Sequence, residues 1–192
     1  MLTGVLSLAA AVSAQAQLAP DALIKTVASD VTSVLKADPA ILGNAAKLKE
    51  LIESKLIPNF SFARMTQLAM GRNWAKASPE QQTALTREFQ TLLVRTYSGA
   101  LANFRNNTID VRPLRAQPTE TDVTVKTVIN QANGQGIPID YSLEKEPDGS
   151  WKAYDIIVAG VSLVTNYRDE FNTVVRDQGV DALIKQLQGK NK

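Results

Sequence analysis

Residues 137–158 read IPIDYSLEKEPDGSWKAYDIIV. Ile137, Ile139, Tyr141 and Leu143 recur at every second position, the period of a strand that buries one face. Pro147-Asp148-Gly149 follows, a turn tripeptide in which proline presets one dihedral and glycine accepts the left-handed region. Apolar residues then resume from Trp151 to Val158. Two strands joined by so short a turn must pair antiparallel, so this stretch predicts a hairpin. Upstream, the same period runs through Ile109 and Val111 and through Val123, Val125, Thr127 and Ile129. Together these segments predict an antiparallel sheet of about four strands.

On both sides of the sheet the period is helical. Ser78-Pro79-Glu80-Gln81 carries a complete start signal: Ser78 to cap, Pro79 at the first helical position, Gln81 to reach back. Leu85, Phe89, Leu93, Tyr97, Leu101 and Phe104 then fall three or four apart, predicting one helix of about 25 residues that ends at Asn106-Asn107. Before it, Leu23, Ile24, Val27, Val31, Val34 and Leu35 mark a helix from about Pro20 to Lys36, broken by Asp38-Pro39. A second follows Asn44 and stops before Pro58, and a third spans Ser61 to Met70 and ends at Gly71. Gly160 releases the chain into a helix marked by Val161, Val164, Tyr167, Phe171 and Val174, and a short last one follows Gly179. Helices, sheet, then helices is an α+β layout: a curved antiparallel sheet covered by a long helix plus N- and C-terminal helices.

The 192 residues are 44% hydrophobic and 21% charged, ordinary for a folded soluble protein. Cysteine and histidine are absent, which removes thiol nucleophiles, Ser-His-Asp triads and His or thiolate metal sites. Lys and Arg number 21 against 19 Asp and Glu, too balanced to argue for a nucleic acid partner. Residues 1–16 are uncharged, run apolar from Leu2 to Val12 and end in Ala14-Gln15-Ala16. That pattern predicts a cleaved signal peptide and one domain over residues 17–192.

Two segments carry a family likeness: Arg64-Met65-Thr66-Gln67-Leu68-Ala69-Met70-Gly71-Arg72-Asn73-Trp74, and Trp151-Lys152-Ala153-Tyr154-Asp155 through Gly160-Val161-Ser162-Leu163-Val164 to Tyr167-Arg168. In these the chain resembles the MlaC, or toluene-tolerance, family. The resemblance implies a cone-shaped sheet of NTF2-like or cystatin-like form with added helices and carries over no catalytic residues; a monomer without cofactor or metal is expected. It implies a periplasmic carrier that holds both acyl chains of a diacyl phospholipid inside. It also implies two partners, an outer-membrane lipoprotein–porin complex and an inner-membrane ABC transporter with an MCE-domain subunit.

On that reading the expected lipid-binding residues are Met65, Leu68, Phe89, Leu93, Tyr97 and Leu101 on helices, Val125, Ile139, Tyr141, Ile156 and Val158 on strands, and Val161, Val164, Tyr167 and Phe171 after the sheet. Taken singly, each is more often packed core than ligand lining. Two other functions stay open. Tyr97, Tyr141, Tyr154 or Tyr167 beside Asp140 or Asp155 would equip an NTF2-like isomerase or dehydratase. Alternation argues against this, since it puts Asp155 opposite Tyr154 and Asp140 opposite Tyr141. The apolar faces could instead serve protein contacts alone, as in a periplasmic adaptor. Arg64, Arg72, Lys76, Arg168 and Arg176 are expected near the cavity mouth, and Ser162 as a helix-start hydrogen bonder.

Overall fold

In a computed structural model, the structure describes residues 17–102, 105, 107–115, 117, 119–131 and 134–192. The expected signal segment, Phe104 and Asn106 lie outside the described residues. The hairpin forms as the sequence predicts. Strands β3 (Gly136–Lys145) and β4 (Trp151–Val158) pair antiparallel, and the Gly149 N–H closes the turn on the Glu146 carbonyl at 2.8 Å with Gly149 at φ 84°. With β1 (Thr108–Val111) and β2 (Asp122–Asn130) they make an antiparallel meander in sequence order. Val123, Val125, Thr127 and Ile129 of β2 are buried, as their alternation requires.

Two departures matter for the site. A fifth strand, β5 (Val161–Ser162), pairs with the end of β4, because Ala159 and Gly160 both take positive φ and turn the chain back before it becomes helical. A bulge lies in the β3–β4 ladder: Ser142 pairs with Asp155 and Leu143 with Ala153, so Tyr154 has no partner opposite. Alternation therefore fails between Tyr154 and Asp155. The Tyr154 hydroxyl instead meets Asp122 at 2.9 Å.

The helices follow from their caps. Helix α1 (Pro20–Ala37) gives way to a 3-10 turn whose first free amide, on Ala40, donates to Asp38. Asn44 accepts from Ala46 and Lys47 to start α2 (Ala45–Leu51). The second helix does not stop cleanly before Pro58. It widens into a π-turn (Ile52–Leu56), where Ile57 N–H reaches the Ile52 carbonyl, and then a 3-10 turn that contains Pro58. Proline has no N–H to continue an α ladder. Helix α3 (Phe62–Met70) ends at Gly71, at φ 53°. The Ser61 N–H just before it donates to Ala153 of β4.

Helix α4 (Pro79–Tyr97) opens with the full capping box of Ser78 and Gln81. It is shorter than its apolar stripe predicts, tightening to a 3-10 turn over Ser98–Leu101, where Ser98-Gly99 lowers helix propensity. Ser162 caps α5 (Leu163–Gln178), and Gly179 separates it from α6 (Val180–Lys190).

The largest core lies among α3, α4, α5 and α6. There Phe89 makes edge contacts with both Phe171 and Tyr167 at 5.1 Å between ring centroids. A second cluster joins α1 to the π-turn through Val31, Leu35, Ile41, Leu51, Ile52 and Leu101. A third packs Ile24 of α1 on Val123, Val125, Leu143 and Ala153 of the sheet.

Candidate functional site

Where these clusters meet, the chain leaves a cavity of about 220 Å³. Ile24, Val27, Ala28 and Val31 of α1 form one wall, and Ile52, Leu56 and Ile57 of the π-turn region form the next. Leu93, Val94, Tyr97 and Leu101 come from the end of α4 and its 3-10 turn. The sheet contributes Ile139, Tyr141, Ala153, Ile156 and Val158, and Phe60, Phe62 and Met65 close the side next to α3. The wall alternates long aliphatic chains with Ala28, Ala100 and Ala153, which are too short to fill the gap.

Among the described residues, no carboxylate, lysine or arginine lines this space, and the ionisable groups that do are Tyr97 and Tyr141. Burial pushes the Tyr141 hydroxyl up to about 12, and no hydrogen-bond partner for it exists among the described residues. Tyr141 keeps accessible surface although it lies deep in the protein, because its ring borders the cavity. Tyr97 is likewise raised to about 12, by burial first and the neighbouring Tyr167 second. Both stay neutral near pH 7, so neither supplies a base there.

The expected lining divides in two. Met65, Leu93, Tyr97, Leu101, Ile139, Tyr141, Ile156 and Val158 border the cavity. Seven others do not. Phe89, Val164 and Phe171 are buried in the four-helix core, with Leu68 and Tyr167 packed against it, because the stripes of α4 and α5 close on each other. Val125 packs under α1 in the third cluster. Val161 is 59% exposed, since it sits on the short edge strand rather than in a helix. Sequence reasoning missed the α1 and π-turn walls. Their apolar periodicity was visible, but nothing in it says which layer they cover.

The polar candidates also find places. Asp155 accepts from the Ser162 hydroxyl and, at 3.1 Å, from the Val164 amide, so it helps to cap α5. Ser162 accepts from Thr165 N–H at 3.0 Å, the expected helix-start role. Asp140 pairs in register with Lys126 and Ile157. Neither Asp140 nor Asp155 reaches the cavity. Arg64, Arg72, Lys76, Arg168 and Arg176 do not line the cavity either; all five border a separate groove. Among the described residues, no helix is long and apolar enough to cross a membrane.

A model of the MlaC protein family matches residues 25–189. The intermembrane phospholipid transport system binding protein MlaC of Haemophilus influenzae is 25% identical over 179 residues, 92% of this chain and 84% of that protein. Toluene tolerance protein ttg2D of Pseudomonas putida is 32% identical over 106 residues, 55% of this chain and 48% of that protein. Among solved structures, the phospholipid-binding protein of Ralstonia solanacearum, in complex with a phospholipid, aligns with a TM-score of 0.81 at 42% identity. That alignment covers 89% of this chain and 96% of the Ralstonia chain.

Proposed function

The chain belongs to the MlaC family, and on that premise we propose that it is a periplasmic carrier that encloses the acyl chains of a diacyl phospholipid and catalyses no reaction. The observation that carries this reading is the cavity wall, hydrocarbon almost throughout and, among the described residues, without a charged side chain. Exposing a methylene to water costs about 0.8 kcal/mol, so two acyl chains of about 30 methylenes need a shelter worth on the order of 20 kcal/mol. A wall of Val, Ile, Leu and aromatic side chains is of the chemical kind such a shelter needs, while the head group can stay hydrated. The two tyrosine hydroxyls, held neutral, add no charge that hydrocarbon would have to face. A relative at 42% identity that holds a phospholipid, and another named for intermembrane phospholipid transport, support the same cargo.

In this reading the loaded protein moves between an outer-membrane lipoprotein–porin complex and an inner-membrane ABC transporter with an MCE-domain subunit. It works as a monomer, without cofactor. The test is native mass spectrometry of protein purified without detergent, followed by organic extraction. Phospholipid at near-stoichiometric level is expected. Protein that is empty after purification, and that takes up no phospholipid from liposomes, would remove the carrier reading.

A further inference from the structure

A second hollow shares a wall with the cavity and differs from it in chemistry. Helix α3 gives Phe62 and Met65 to the cavity and Arg64, Gln67 and Leu68 to an open groove of about 1200 Å³. At 100° per residue Arg64 and Gln67 lie across the helix from Phe62 and Met65, and Leu68 lies between the two sets. The groove runs between α3, the 3-10 turn Gly71–Lys76 and α5. Arg64, Arg72, Lys76, Arg168 and Arg176 line it, and among the described residues no carboxylate does.

In a chain of net charge +2, five cations on one concave surface are a local excess. Glu144 beside Arg64 and Asp177 beside Arg176 offset two of them. Arg72 is exposed and has no partner among the described residues. The walls are fixed to each other: Asn73 Nδ2 donates to Asn172 Oδ1 at 2.8 Å, and Arg168 Nε donates to the Leu68 carbonyl at 3.1 Å. Leu68, Val175 and Val180 put apolar surface among the charges.

We propose that this groove docks an acidic segment of a partner protein, one in which carboxylates alternate with apolar side chains. Guanidinium groups match carboxylates in the bidentate geometry that arginine favours. The apolar patches ask for side chains that a free anion lacks. A bilayer surface is broad and flat, whereas these cations border a concave groove that a single chain can enter. Groove and cavity have no lining residue in common, so the proposal does not depend on the carrier reading, and a partner seated there leaves the cavity walls uncovered.

The experiment titrates the full chain with a short fluorescent peptide of alternating Glu and Leu, and with its Gln-for-Glu counterpart. The Glu peptide is expected to bind saturably and the Gln peptide much more weakly. The paired change Arg72→Glu with Lys76→Glu should weaken binding about tenfold, whereas Lys47→Glu with Lys49→Glu on α2 should change it less than about twofold. Far-UV circular dichroism checks each fold. Should the double reversal fail to fold, Arg72→Gln is expected to weaken binding by about threefold. Equal affinity for the two peptides, or insensitivity to the Arg72 and Lys76 changes, overturns the proposal. So does displacement of the peptide by inorganic phosphate at constant ionic strength, which marks a small-anion site. Flotation with phosphatidylethanolamine–phosphatidylglycerol vesicles that depends on Arg72 and Lys76, without peptide binding, assigns the groove to a membrane surface and overturns it too.

Discussion

One apolar stripe on α4 crosses two unlike regions. Leu85, Phe89 and Leu92 lie in a filled core, where the rings of Phe89, Tyr167 and Phe171 sit 5.1 to 5.8 Å apart. Four to twelve residues beyond Phe89, at Leu93, Tyr97 and Leu101, the same stripe borders open space. The side chains on α4 do not differ in kind between the two regions. What differs is the layer opposite: bulky aromatics of α5 on one side, and on the other a wall that includes Ala28 and Ala153. Periodicity tells which face of a helix is covered, and the partner layer decides whether the cover is solid.

The strongest way to break this comparison is to truncate one residue in each region. Phe89→Ala should cost about 3–5 kcal/mol in urea denaturation, because its cavity opens inside a close-packed core. Ile156→Ala should cost only about 1–2 kcal/mol in lipid-free protein, since its side chain already faces a void. Equal losses would mean that the two regions are packed alike. Next in size is a change on the hollow side that spares the fold. Val27 is half-buried on α1 and borders the cavity. Val27→Glu should leave the circular dichroism spectrum intact and lower co-purifying phospholipid at least about tenfold, because the charge must be desolvated against hydrocarbon. Full lipid content in that variant would take α1 off the binding wall.

Smaller effects separate structure from chemistry. Asp155→Asn keeps an acceptor near the start of α5 and should lower thermal stability by about 1 kcal/mol or less, with lipid loading unchanged. A loss of transfer between liposomes by the folded variant would demand a polar mechanism. Smallest of all is Tyr141→Phe, expected to load and transfer lipid like the parent near pH 7. Its signature is alkaline. The hydroxyl titrates near 12 in the fold, above its usual 10, so its contribution to stability is intact below pH 10 and is lost as pH rises through about 12. The variant should lose less stability over that interval, and its absorbance titration at 295 nm should lack one late tyrosine.

The fold was legible where local chemistry decides it. The Pro147-Asp148-Gly149 turn, the Ser78 to Gln81 capping box and the glycines that end α3 and α5 all did what those residues do wherever they occur. The bulge at Tyr154 was not legible, because a one-residue slip depends on both strands of the ladder. For the cavity, Ile139, Tyr141, Ile156 and Val158 of the sheet and the end of α4 border the space, whereas Val125, Phe89, Val164 and Phe171 pack on neighbouring elements, a difference their periodicity does not encode. Val27, Ala28 and the π-turn went unassigned because their position over the sheet is set by long-range packing. A void is a property of facing layers, and no single segment encodes it.

The size of the cavity has its own consequence for a carrier. At about 220 Å³ it is tighter than the 300–1,000 Å³ common for pockets that engulf a drug-sized ligand, and a diacyl lipid asks for more. On the carrier reading, admitting such a cargo takes room that the walls do not leave, and the work of making it is subtracted from the gain of sheltering each methylene. For the proposed carrier, that cost lowers the net affinity below what the apolar wall alone would give, which favours a cargo that is held and can still be released.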